Sequence, residues 1–420
     1  MGYREFIMIL SMIFFLPIPG DTIGYTAGKV IDFFTERPIK GAFVTMNNEA
    51  AVTDEDGMFV VKTMGNRLSA RAYGYRRGEV VITTPLTTPH LIRLVPFTPK
   101  ALYLSFYGIG YRSLRESALR LIEETDLNAL VIDVKGDKGM IAYKSSIPLA
   151  SKIGAQRIIT IKDVEGLIKS LREKGIYLIA RIVVFKDNLL ALARPDLAVK
   201  TYDGMTWSDR ENLAWVDPFK KETWDYNMDI AVEAAQYGFD EIQFDYVRFP
   251  DAAWLKFSMP NTEENRVNAI SGFLMEAKNR LIPYNVFLSA DIFGYVCWNL
   301  NDTDIGQRLE DLTPHLDYIS PMLYPSGFQY GIPSYRNPVI HPYEIVYLSL
   351  KKAQERTQLP SVRFRPWLQA FRDYAFDGRY FTDREISAQI NAAERFGSHG
   401  WMLWNPQNIY SHKGLKMEGG

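Results

Sequence analysis

The chain has 420 residues, 47% of them hydrophobic, and its 48 Lys and Arg balance 49 Asp and Glu to a formal charge of −1, which leaves no electrostatic footprint for nucleic acid or an anionic membrane surface. The single cysteine, Cys297, excludes an internal disulfide and a multi-cysteine metal site. The five histidines form neither His-x-His nor His-Glu-x-x-His, so the ligand spacing of a metallohydrolase is missing and neither a metal nor another cofactor is expected.

Residues 1–20 open with Arg4 and run apolar from Phe6 to Pro17. A bilayer-spanning helix takes about twenty apolar residues, so this shorter run reads as an export signal, with an uncleaved anchor as the alternative. An extracytoplasmic location, secreted or held at the cell envelope, is the expectation.

Residues 22–98 carry short strand patterns at Val30-Ile31, Ala42–Met46, Met58–Lys62, Leu68–Ala72, Glu79–Thr83 and Leu91–Leu94, separated by turn residues such as Asn47-Asn48 and Asp54-Glu-Asp56-Gly57. Such spacing predicts a small β-sandwich. Gly28-Lys-Val30-x-Asp32, Pro38-Ile39-x-Gly41-Ala42-x-Val44 and Thr53-Asp54-x-Asp56-Gly57-x-Phe59 resemble the carboxypeptidase regulatory-like (transthyretin-like) family, which implies an accessory or spacer module. Asp54 and Asp56 read as turn residues rather than a Ca²⁺ loop.

From residue 99 to 420 strands and helices alternate. Strand patterns fall at Ala101–Tyr107, Ala129–Lys135, Tyr177–Val184, Glu241–Tyr246, Val286–Ile292, Tyr318–Leu323, Phe364–Ala370 and Gly400–Leu403. Helical patterns lie between them at Leu114–Glu124, Ile161–Lys174, Lys220–Gln236, Asn265–Leu281, Ile305–His315, Pro342–Arg356 and Arg384–Phe396. Eight such units predict a (β/α)₈ TIM barrel after the sandwich, an α/β domain whose chemistry sits at the carboxyl ends of the strands. The long segment from Lys186 to Pro218 is expected to cover that end.

Reading the strand ends in order assembles a candidate site. Gly238-Phe-Asp240-Glu-Ile-Gln-Phe-Asp245-Tyr-Val-Arg248-Phe-Pro250 places Asp245 at the end of the fourth strand, and Ser289-Ala-Asp291-Ile-Phe-Gly294 places Asp291 on the fifth. Glycoside cleavage needs two carboxylates, one ionised and one protonated. Asp245 is read as the nucleophile, kept charged by Arg248, and Asp291, flanked by Ile292 and Phe293, as the acid/base. Asp133 is the reserve for either role. Asp133, Lys135, Arg181, Gln243, Arg248, Tyr324, Trp367, Gln369, Trp404 and Asn405 are the candidate substrate-binding groups, a mix of amides, guanidiniums and aromatic faces that suits a sugar. The expected partner is a poly- or oligosaccharide, with association at the cell surface as a further expectation and no nucleic acid.

Together with Ala129-Leu-Val-Ile-Asp133-Val-Lys135 and Ser320-Pro-Met-Leu-Tyr324-Pro325, these motifs resemble a glycoside-hydrolase-type barrel family filed as a domain of unknown function and distantly similar to the α-amylase superfamily. The resemblance implies an Asp nucleophile on strand four, matched by Asp245. It also implies a Glu on strand five, where Asp291 stands, an Arg two residues before the nucleophile, where Gln243 stands, and a third acid on strand seven, where Trp367 and Gln369 stand. A barrel that binds carbohydrate at the cell envelope without catalysis is the alternative.

Overall fold

A computed structural model describes residues 24–82 and 89–417. The expected export segment and residue 83 of the expected strand Glu79–Thr83 lie outside the described residues. Among them, no helix is long and apolar enough to cross a membrane.

The amino-terminal unit is a two-sheet sandwich. Strands β1 (Thr26–Asp32), β2 (Phe43–Met46), β3 (Glu49–Val52), β4 (Met58–Val61), β5 (Arg67–Arg71), β6 (Gly78–Val81) and β7 (His90–Leu94) form one sheet in the order β4-β1-β7 and another in the order β3-β2-β5-β6. Alternation sends Val30, Val44, Phe59, Leu68, Ala70 and Ile92 into the space between the sheets. Gly41 and Gly57 take the left-handed backbone, with φ of +74° and +72°. Asp54 Oδ1 accepts the N–H groups of Asp56 and Met58 and so closes its own turn. Strand β3 was not expected. It is an edge strand of sequence Glu-Ala-Ala-Val with no fully buried residue, so it has no apolar face for a period-2 pattern to reveal.

The second unit is a closed, all-parallel barrel. Its staves are β8 (Lys100–Leu104), β9 (Ala129–Lys135), β10 (Tyr177–Val183), β12 (Glu241–Asp245), β14 (Phe287–Phe293), β15 (Tyr318–Met322), β16 (Trp367–Gln369) and β17 (Trp401–Trp404). A small ribbon of β11 (Lys200–Thr201) and β13 (Leu255–Lys256) sits in the loops above. Three elements depart from expectation. Strand β8 stops at Leu104 because Ser105 caps a short helix, Phe106–Gly110, through the Gly108 N–H. The helix expected over Ile305–His315 shrinks to Leu309–Leu312 and a 3₁₀ turn at Thr313–His315, since Gly306 is left-handed at φ +81° and Asp302 accepts the N–H groups of Asp304 and Gly306. Strand β16 is shorter than Phe364–Ala370, for Pro366 brings no N–H to the ladder.

The sandwich closes the amino-terminal mouth of the barrel. Asn285, fully buried just before β14, donates to Thr45 Oγ1 and to the Ser69 and Phe43 carbonyls and accepts from Arg71. Arg71 also pairs with Asp317 before β15, and Arg77 with Asp240 before β12. Just inside that mouth, Glu241 and Arg365 form a wholly buried ion pair at 2.6 Å, and Tyr177 and Ser289 donate to the same carboxylate. The opposite, carboxyl-terminal mouth is open.

Candidate active site

Strand β12 sends Glu241, Gln243 and Asp245 inward in successive layers, while Ile242 and Phe244 pack outward in the apolar core. Asp245 therefore reaches the top layer. Directly after it Tyr246 holds φ +48°, a conformation a bulky residue rarely adopts without tertiary support. That turn lets Asp245 Oδ1 accept the Tyr246 N–H at 2.6 Å.

Strand register decides what faces Asp245. Arg181 on β10 pairs with Gln243 on one side and with Asp133 of β9 on the other. Its guanidinium hydrogen-bonds Asp133 Oδ1 at 2.6 Å and holds Asp245 Oδ2 through both Nη2 and Nε, the latter at 3.1 Å. Asp291, inward on β14, has Oδ2 3.9 Å from the same Nε. The two oxygens therefore lie no more than about 7 Å apart, the sum of their distances to that nitrogen. Position 243 carries no guanidinium; the one beside Asp245 comes from Arg181 on the neighbouring stave.

One cation stands among three buried carboxylates. Burial pushes Asp291 well above the usual carboxylate range, and the charge of Asp245 pushes the same way, against Arg181 and the hydrogen bond from Trp367 Nε1 at 2.7 Å. Asp133 is also raised by burial, opposed by Arg181 and by Tyr103, whose hydroxyl donates to Oδ2 at 2.7 Å. Arg181 is driven well above its ordinary value: burial disfavours its charge, but Asp133, Asp245 and Asp291 outweigh that. Asp245 is the carboxylate the guanidinium grips twice.

Above this layer opens a cavity of about 720 Å³, lined by Arg181, Asp245, Arg248, Asp291, Tyr324, Trp367, Trp404 and Asn405 among the expected residues. Trp404 stacks on Tyr103 at 3.9 Å, and Trp367 packs edge-on against it. Asn405 is held by its own amide, which donates to the Ala370 and Ile409 carbonyls. Four expected binding residues do not line the cavity. Asp133 lies beneath it, with both oxygens engaged. Lys135 should point inward by alternation, but a register shift between β9 and β10 turns it to Asp187, 2.6 Å away and fully buried, beside the Tyr226 ring. Gln243 belongs to the layer below and donates to Ser320. Gln369 clamps the loop at Ser326. Arg248 is not the partner of Asp245 either; it lies over Trp215 and Tyr246 and donates to the Phe249 carbonyl.

Sequence reasoning missed the wall opposite. The loop after β16 brings Phe371, Arg372, Tyr374, Tyr380 and Phe381 to the cavity. Asp373 holds that loop: burial opposes its charge, but the Ser326 hydroxyl and the N–H groups of Ala375, Phe376 and Gly378 bring its carboxyl down to about 2. The turn run Asp373-Tyr-Ala-Phe-Asp-Gly378 directly after a strand end was the available signal. Glu211, from the long segment expected to cover the site, also reaches the cavity. Among the described residues, no group of three or more His, Cys, Asp or Glu is arranged to hold a metal ion.

Residues 101–410 match the family described as "Putative glycosyl hydrolase domain", and the chain belongs to that family. No curated protein matches it. Among solved structures, the PgaB (BpsB) glycoside hydrolase domain from Bordetella bronchiseptica is 14% identical, with 75% of this chain and 95% of that one covered and a TM-score of 0.55, a likeness of fold. A hypothetical protein from Ruminiclostridium thermocellum ATCC 27405 is 39% identical, covering 45% of this chain and 96% of that one at a TM-score of 0.41. A chitinase from Chromobacterium violaceum ATCC 12472 is 12% identical, with 76% and 96% covered and a TM-score of 0.44.

Proposed function

We propose that the barrel hydrolyses glycosidic bonds of a poly- or oligosaccharide, with Asp245 as nucleophile and Asp291 as acid/base. The observation that carries this reading is the electrostatic asymmetry of two carboxylates on adjacent staves over one cavity. Asp245 is gripped by Arg181, while burial and the charge of Asp245 push the Asp291 carboxyl toward its protonated form. In the first step an Asp245 oxygen attacks the anomeric carbon as the glycosidic bond breaks, and Asp291 gives its proton to the leaving oxygen. In the second, Asp291 takes a proton from water, whose oxygen displaces Asp245 from the sugar. Retaining enzymes hold their carboxyl groups about 5–5.5 Å apart, and the ceiling set by Arg181 admits that spacing. Trp404 and the aromatic loop after β16 offer ring faces to a pyranose. In the same reading residues 1–20 export the chain, so that it meets its glycan outside the cytoplasm.

Reducing ends released from a panel of polysaccharides test the proposal. Asp245→Asn and Asp291→Asn are each expected to lose roughly 10²–10⁴-fold in turnover with unchanged circular dichroism. Full activity in Asp245→Asn refutes the assignment. Glycan binding by the wild type with no release of ends selects the alternative, a barrel that binds carbohydrate without catalysis, which the short, almost fully buried side chain of Asp291 favours.

A further inference from the structure

Among the described residues, two of the three guanidiniums that line the cavity have no carboxylate within ion-pairing distance. Arg181 is spent on Asp133 and Asp245, and Glu211 pairs with Lys186 at 2.8 Å. Two guanidiniums remain. Arg248 makes no ion pair among the described residues: it donates to a backbone carbonyl and lies 5.0 Å and 5.2 Å from the ring centres of Trp215 and Tyr246. Arg372, exposed on the facing wall, donates to the Gly378 carbonyl and lies over Tyr380, and it too pairs with no carboxylate among the described residues.

The acids near Arg248 are otherwise engaged or point to solvent. Asp245 is held by Arg181, Asp209 accepts from Trp215 Nε1 and pairs with Lys186, and Asp251 is exposed. A half-buried guanidinium flanked by two aromatic rings has lost much of its water without gaining a counter-ion. Its planar fork of N–H donors matches a carboxylate held by two parallel hydrogen bonds.

We infer that the cavity takes a carboxylate-bearing sugar, such as a hexuronic acid, and that Arg248, three residues after Asp245, receives that carboxylate beside the cleavage point. The inference rests on the glycosidase reading for the position of the reacting bond and goes beyond it in naming the substrate class. Arg248 acts here as a specificity residue, and Arg372 extends the same preference along the chain of the glycan.

Isothermal calorimetry with the Asp245→Asn protein, in which turnover is blocked, tests this on intact ligands. The probes are oligosaccharides of polygalacturonate, alginate and hyaluronan, each beside its carboxyl-reduced counterpart, with chito-oligosaccharides and a sulfated galactan oligosaccharide as neutral and sulfate controls. At least one carboxylate probe is expected to bind tenfold or more tightly than its reduced partner. Adding Arg248→Gln should erase that difference. Equal binding of acid and reduced forms, binding of the neutral or sulfated probes alone, no binding of any carboxylate probe, or discrimination that survives Arg248→Gln each overturns the inference. Because the readout is binding, acid recognition without wild-type turnover would remove the glycosidase reading alone. Wild-type turnover of neutral glycans alone would remove this inference alone.

Discussion

Replacing Arg181 by Met removes the one cation that three buried carboxylates share. The guanidinium hydrogen-bonds Asp133 and Asp245 and stands 3.9 Å from Asp291, and each of these side chains is at most 8% exposed. Stripping one partner from a buried ion pair costs about 3–5 kcal/mol. With two carboxylates orphaned by one change, the upper end of that range is expected near pH 7. The variant can relieve the repulsion by taking up protons, which raises the folded-state pKa of its carboxyls above the unfolded value of about 3.9. A raised carboxyl pKa means that the folded form binds more protons than the unfolded one, so stability falls as pH rises between the two values. Urea unfolding of Arg181→Met and wild type at about pH 7.5 and about pH 4.5 reads this out, and the deficit of the variant should be clearly smaller at the lower pH. A deficit of the same size at both, or none at either, refutes the view that Arg181 is there to balance the carboxylate layer.

Trp367→Phe deletes the Nε1–H that donates to Asp291 and favours its charged form; the alkaline limb of the pH–rate profile should move to higher pH, and a limb that stays or moves down counts against Asp291 as the acid. Glu241→Gln leaves Arg365 buried without its counter-charge and should cost about 3–5 kcal/mol in urea unfolding, whereas the double change Glu241→Met with Arg365→Leu should recover much of it. Asn285→Ala forfeits the bonds that fasten the sandwich to the barrel, at a φ of +49° that alanine also resists; a loss of about 1–3 kcal/mol in thermal unfolding is expected, with kcat unchanged because the site lies at the other mouth. Asp373→Asn weakens the clamp on the aromatic wall above pH 4, and since the carboxyl is held at about 2, its stabilising effect fades only as pH falls toward that value. Thermal melts across that range check the direction.

The stave carrying Asp245 was readable because its alternation is strict: Ile242 and Phe244 face the helices, and Glu241, Gln243 and Asp245 face the interior. Asp291 followed from the same logic one stave on. What stayed hidden depended on register across strands. The cation beside Asp245 is 64 residues away in the chain, whereas Arg248, three residues away, is carried past Asp245 by the strained turn at Tyr246. Lys135 was misplaced because one extra residue between paired positions reverses the parity that alternation assumes. The loop after β16 follows no strand or helix period, so only the turn run that begins at Asp373 marks it, and that single carboxylate organises the cavity-lining aromatics. The closure of the lower mouth by the sandwich was likewise beyond reach, since its key side chain, Asn285, sits in a short turn with no distinguishing motif.

The pairing of roles between Asp245 and Asp291 is tested most directly by covalent trapping. Wild-type protein would be incubated with a 2-deoxy-2-fluoro glycosyl fluoride of the sugar whose linkage it opens, digested, and mapped by mass spectrometry. A single sugar adduct on Asp245, absent from the Asp245→Asn protein, is the predicted result. An adduct on Asp291 or Asp133 instead, or turnover with inverted anomeric configuration and no adduct, would contradict the account.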